Sequence, residues 1–144
     1  MITEVEFHTG VADPVGFACR LLRKAYRKGS WVLVTAPAAT LSTLDRELWV
    51  FEERDFVPHL RVQGQAPPAL AARTPIWLAE QAVAGAPGVL VNLGADAPED
   101  LSAFERVIEI VGAEPEAAQA GRQRWRTYAG RGLQITHHAA AARS

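Results

Sequence analysis

Short apolar runs separated by amphipathic stretches constrain this chain most. Trp31-Val32-Leu33-Val34 and Val89-Leu90-Val91-Asn92-Leu93 are too apolar for half-exposed strands and too short for helices. Strands covered on both faces read this way. Val5 and Phe7 alternate with Glu4, Glu6 and His8, the period of another strand, which Gly10 is expected to break. Pro75-Ile76-Trp77-Leu78, Val107 to Val111 and Leu133 to Thr136 complete the set, and proline makes Phe56-Val57-Pro58-His59 extended. Asp13-Pro14 pairs an N-cap with a first-turn proline, so the spacing predicts a helix from Pro14 to Lys28 ended by Gly29. Phe17, Leu21 and Ala25 form its apolar stripe, opposite Arg20, Arg23, Lys24, Arg27 and Lys28. Leu41, Leu44 and Leu48 place a second helix over 41–49, Pro98 to Phe104 suits a short one, and a last helix runs from Glu114 to Ala129 with Gly130 as its stop. Residues 64–74 read as loop. Strands alternating with helices predict one α/β domain, a largely parallel sheet flanked by helices, over 1–138, followed by a frayed tail over 139–144.

The chain is large enough for one buried core, with 144 residues, 49% of them apolar. No apolar run approaches the roughly 18 residues of a membrane span, and acids fill the Met1–Glu6 stretch where a signal peptide needs bases. A soluble, cytoplasmic protein is the expectation. The single cysteine, Cys19, can form neither an internal disulfide nor a cysteine-based zinc site.

Several chemistries are missing. The turn Thr9-Gly10-Val11-Ala12-Asp13-Pro14 matches neither a dinucleotide-binding nor a P-loop pattern, and the only lysines, Lys24 and Lys28, sit on a helix. None of Ser30, Ser42, Ser102 and Ser144 occupies a nucleophile elbow. Cys19 reads as a small buried thiol. His137 and His138 are adjacent, so a strand turns them to opposite faces and they cannot chelate together, while His8 and His59 lack a ligand-spaced neighbour. Asp45, Glu47, Glu52, Glu53 and Asp55 are interspersed with Arg46 and Arg54 as on a solvated face. Neither a catalytic residue, a metal nor a cofactor is expected.

Charge is distributed unevenly. Residues 1–116 carry ten Lys/Arg against sixteen Asp/Glu, a net of −6, whereas residues 117–144 hold five arginines and no acid. Within that basic segment lies Gly121-Arg122-Gln123-Arg124-Trp125-Arg126-Thr127-Tyr128. On a helix Arg122, Trp125 and Arg126 share a face. Guanidinium groups beside an aromatic surface suit an acidic peptide with a free carboxylate and an apolar end. They also suit single-stranded nucleic acid, and a plain amphipathic helix with solvated arginines has the same pattern. A second constellation, Leu44 to Phe51 followed by Phe56 to His59, holds the consecutive apolar residues Trp49, Val50 and Phe51. One helix stripe cannot bury all three, which leaves a protein interface or a helix end folded into the core.

These stretches, in this order and spacing, resemble the chi subunit family of bacterial DNA polymerase III holoenzyme over roughly 130 residues. The stretches that carry the likeness are Val5-Glu6-Phe7-His8, Leu44-Asp45-Arg46-Glu47-Leu48-Trp49, Phe56-Val57-Pro58-His59, Val89 to Gly94 and Arg122 to Tyr128. The resemblance implies a Rossmann-like domain without nucleotide or catalysis. It implies an adaptor that binds the psi subunit of the clamp loader and the acidic C-terminal tail of single-stranded DNA-binding protein, meeting nucleic acid mainly indirectly and no membrane. Direct binding of single-stranded nucleic acid by the last helix is the alternative. By resemblance, Arg122 and Trp125 line the tail pocket, supported by Arg124, Arg126 and Tyr128, and Trp49, Phe56 and Val57 lie on the psi side. Ala118 stands where family members can carry a lysine, which implies either weaker tail binding or a replacement charge from Arg126 or Arg131, and Trp125 stands where tyrosine is usual.

Overall fold

Seven strands take up the apolar runs: β1 (Glu4–Val11), β2 (Val32–Thr35), β3 (His59–Arg61), β4 (Ile76–Ala79), β5 (Val89–Asn92), β6 (Arg106–Gly112) and β7 (Ile135–Ala139). They form one sheet in the order β3-β4-β2-β5-β6-β1-β7. Every pairing is parallel, so the sheet is α/β and Rossmann-like as expected. The computed structural model describes residues 4–50, 57–64 and 68–140. Phe56, Phe51 and the acids at 52, 53 and 55 lie outside the described residues.

Among the described residues four helices connect the strands: α1 (Pro14–Arg27), α2 (Ala38–Val50), the short α3 (Pro68–Ala71) and α4 (Pro115–Gly130). Asp13 caps α1 by accepting the Gly16 N–H at 3.1 Å. The sheet's two faces bury different sets of residues, because successive strand side chains alternate. On one face Val32, Val34, Val91, Ile108 and Ile110 pack against Ala18, Cys19 and Leu22 of α1 and Leu41, Leu44 and Leu48 of α2. On the other, Val5, Phe7, Leu33, Leu90, Val107 and Val111 pack with Tyr128 and Trp125 of α4.

Several local expectations need correction. The stripe of α1 that sits deepest is Ala18, Cys19 and Leu22, with Phe17, Leu21 and Ala25 only partly buried beside it. Gly10 does not end β1; with φ of 67° it lies inside a register irregularity between His8 and Val11. Residues 98–104 form turns, not a helix, and Asp100 accepts the Ser102 N–H at 2.9 Å in a local side-chain turn that competes with helix. Gly130 is still helical, and the left-handed stop comes from Gly132, φ 80°. Residues 64–74 contain α3. The strand nearest the C-terminus runs on through His137, His138 and Ala139, and the Ala140 N–H donates to the Thr9 carbonyl at 2.9 Å, so the ordered chain extends past 138. Residues 141–144 lie outside the described residues.

Candidate functional site

Register places Thr35 beside Asn92, Asn92 beside Glu109, Glu109 beside Phe7 and Phe7 beside His137. One row therefore crosses five strands on the α4 face, and its centre is polar. The Thr35 hydroxyl donates to Asn92 Oδ1 at 2.9 Å, and Asn92 Nδ2 donates to Glu109 Oε2 at 2.9 Å and to the Ala95 carbonyl at 2.7 Å. Arg124 Nε donates to Glu109 Oε1 at 2.8 Å, and the Tyr128 hydroxyl donates to Oε2 at 2.7 Å. All five side chains are buried, Asn92, Glu109 and Tyr128 completely. Among the described residues no buried side-chain nitrogen or oxygen lacks a partner, the condition under which a buried charge pair is tolerable. Burial and then the Glu109 charge push the Tyr128 phenol far above the ordinary tyrosine range.

This network anchors α4 on one side, so its other side faces outward in a fixed orientation. Gly121 lets the helix lie against β6: a Cβ there would stand 2.6 Å from Val111 Cγ1. Trp125 leans on Phe7, ring centroids 4.9 Å apart, and meets His137 edge-on at 5.3 Å. The Thr9 hydroxyl lies 2.7 Å from His137 Nε2. Between α4 and the carboxyl ends of β1 and β6 opens a groove of about 560 Å³, mainly apolar. Arg122, Trp125, Arg126 and Ala118 form one wall, Thr9, Gly10 and Val111–Ala113 the floor, and His137 an end. The carboxyl ends of strands are where open α/β sheets hold ligands.

Of the residues singled out by sequence, Arg122, Trp125 and Arg126 meet in this groove, the two arginines exposed and the indole half-buried. Arg124 and Tyr128 turn the opposite way, into the Glu109 network, and neither lines this groove; Arg124 instead borders a second cavity beside Asp13, Pro14 and Glu116. Arg131 does not line the groove; it donates to the Pro98 carbonyl at 2.8 Å. Ala118 lies in the groove wall. At the end of α2, Trp49 and Val50 are 62% and 65% exposed, whereas Val57 is 2% exposed and belongs to the core beneath them. Trp49 packs edge-on against His59, centroids 5.6 Å apart, and His59 Nε2 lies 2.7 Å from Asp45 Oδ1. The two surfaces belong to helices on opposite faces of the sheet.

Sequence reasoning missed Glu109, Thr9, His137 and the company His8 keeps. Strand register was the missing information: an acid inside an apolar run (Val107 to Val111) was the one visible hint of a buried polar row. His137 and His138 do face opposite ways, His137 toward Trp125 and His138 toward His8, with which it stacks at 4.8 Å.

The family model described as "DNA polymerase III chi subunit, HolC" matches residues 2–136. A Pseudomonas aeruginosa protein named "DNA polymerase III subunit chi" is 36% identical, the match covering 95% of this chain and 96% of that protein.

Proposed function

The chain belongs to the family of DNA polymerase III chi subunits, and from that premise we propose that it is a non-catalytic adaptor whose α4 groove binds the acidic tail of single-stranded DNA-binding protein. The observation that carries this reading is the pair Arg122 and Arg126 flanking Trp125 above an apolar floor. A guanidinium holds a carboxylate through charge-assisted hydrogen bonds, while the groove takes an adjacent aromatic side chain. Glu109, Arg124 and Tyr128 act as positioning residues that fix the outward face of α4. Trp49, on the other sheet face, serves the psi subunit, because a large exposed aromatic residue is the kind that dominates an interface. The separation suits a linker that holds both partners at once.

Titration of purified protein with a short acidic peptide ending in Pro-Phe, in parallel with a single-stranded oligonucleotide, tests this reading. Binding of the peptide alone, weakened by added salt, is the expected result. Binding of the oligonucleotide in preference to the peptide would overturn it in favour of a direct nucleic-acid-binding module.

A further inference from the structure

On the face of β1 opposite the groove, Glu6 and His8 stand two residues apart and therefore side by side. The β1–β7 register sets His138 directly beside His8. Their donor atoms, a Glu6 carboxylate oxygen and one nitrogen from each imidazole, all fall within 4.8 Å of one another. His8 Nε2 is 2.6 Å and His138 Nε2 3.9 Å from the same oxygen, Glu6 Oε2. The other oxygen, Oε1, accepts from Arg106 Nη2 at 3.0 Å, which fixes the carboxylate with Oε2 turned toward both rings. Phe17 of α1 packs against the His8 ring with centroids 5.0 Å apart. Side-chain exposures of 22%, 19% and 51% for Glu6, His8 and His138 leave the cluster reachable from solvent.

We propose that Glu6, His8 and His138 form a binding site for a zinc-class divalent transition metal that fastens edge strand β7 to β1. Two imidazoles and one carboxylate are the borderline donors such ions prefer, and three protein ligands leave one position of a tetrahedron for water. Metal–ligand bonds of about 2.0–2.2 Å put neighbouring donors about 3.3 Å apart. The observed 2.6 and 3.9 Å bracket that spacing, and because the two imidazoles stack within 15° of parallel, the rings must turn about their Cβ–Cγ bonds to aim both nitrogens at one ion. Arg106 supplies the outer hydrogen bond that orients a ligating carboxylate. Because β7 is the edge strand beside β1 among the described residues and also carries His137 into the groove, a metal here would stiffen that end of the groove from behind.

The test is titration of the purified protein with cobalt(II), followed by its visible d–d absorption, with zinc added afterwards in competition. Tetrahedral-type bands that saturate at micromolar cobalt and are displaced by zinc are expected. His8→Ala and His138→Ala should each weaken binding about tenfold or more. His137→Ala, a histidine on the opposite face, should bind cobalt as the wild type does. Zinc should raise the melting temperature of the wild type but not of His138→Ala. Absence of d–d bands in the wild type up to millimolar cobalt overturns the site, as does undiminished binding by both His8→Ala and His138→Ala.

Discussion

The two faces of the sheet hold their helices by different physics. Beneath α1 and α2 the contact is aliphatic, Ala18, Cys19 and Leu22 with Leu41, Leu44 and Leu48 on Val32, Val34, Val91, Ile108 and Ile110. Such packing is non-directional and tolerates small shifts. Beneath α4 a buried carboxylate takes hydrogen bonds from Arg124, Tyr128 and Asn92, each requiring one geometry. The α2 side ends in an exposed, apolar Trp49, which offers a partner shape and area but little direction. The α4 side ends in Arg122 and Arg126, whose value depends on where their donors point. Directional anchoring lies under the surface proposed to read a carboxylate, and plain apolar packing under the surface proposed to meet a partner subunit.

The contrast breaks most visibly at Glu109. Glu109→Ala strands the Arg124 guanidinium, 7% exposed, without a counter-charge, and should cost about 3–5 kcal/mol in urea denaturation. A triple replacement, Glu109→Leu with Arg124→Met and Tyr128→Phe, should recover most of that stability yet bind tail peptide several-fold less well, because apolar packing no longer fixes the helix's orientation. If peptide affinity survives intact, the network has no positioning role. Next in size, Trp49→Glu should abolish co-purification with a psi subunit, a loss of more than about 2 kcal/mol at a hot spot, while peptide affinity stays within about twofold. Loss of both activities together would remove the separation of the two surfaces.

The aliphatic face is sharpened by its thiol. Burial, and then the charges of Glu47 and Asp13, push Cys19 from 9.0 up to about 11. At pH 8 a thiol reagent should leave the native protein unmodified and label it promptly in urea. A raised folded-state value favours the neutral thiol, so this contribution to stability is complete below about pH 9 and fades as pH climbs toward 11. Rapid labelling of native protein at pH 8 would contradict the tight layer around α1. The smallest effect belongs to Ala118 in the groove wall. Ala118→Lys adds an exposed, screened charge, about 0.2–1 kcal/mol, so peptide affinity should rise by no more than about fivefold, and less at high salt.

Much of this molecule is legible in its sequence because strand and helix periods are local. The runs at Val32, Ile76, Val89 and Val107, the Asp13-Pro14 cap and the Arg122/Trp125/Arg126 face all follow from spacing within a few residues. Cross-strand register is not local. Nothing in the spacing of Thr35, Asn92 and Glu109 reveals that they form a row, so Arg124 and Tyr128 looked like groove residues when they are its foundations. For the same reason His8 and His138, 130 positions apart, showed no sign of stacking. Residues 98–104 suit a short helix by sequence, but the Asp100 side chain satisfies the Ser102 N–H locally and turns prevail.

The central claim is that Arg122 reads a free carboxylate at the end of an acidic peptide. A double-mutant cycle tests it most directly, combining Arg122→Ala with amidation of the peptide's C-terminus and measuring all four affinities by calorimetry. A charge-assisted hydrogen bond contributes about 1.5–3 kcal/mol, so either change alone should weaken binding roughly tenfold to a hundredfold. Together they should cost little more than one alone, since each removes the same contact. Fully additive losses, or an unchanged affinity for Arg122→Ala, would contradict the account.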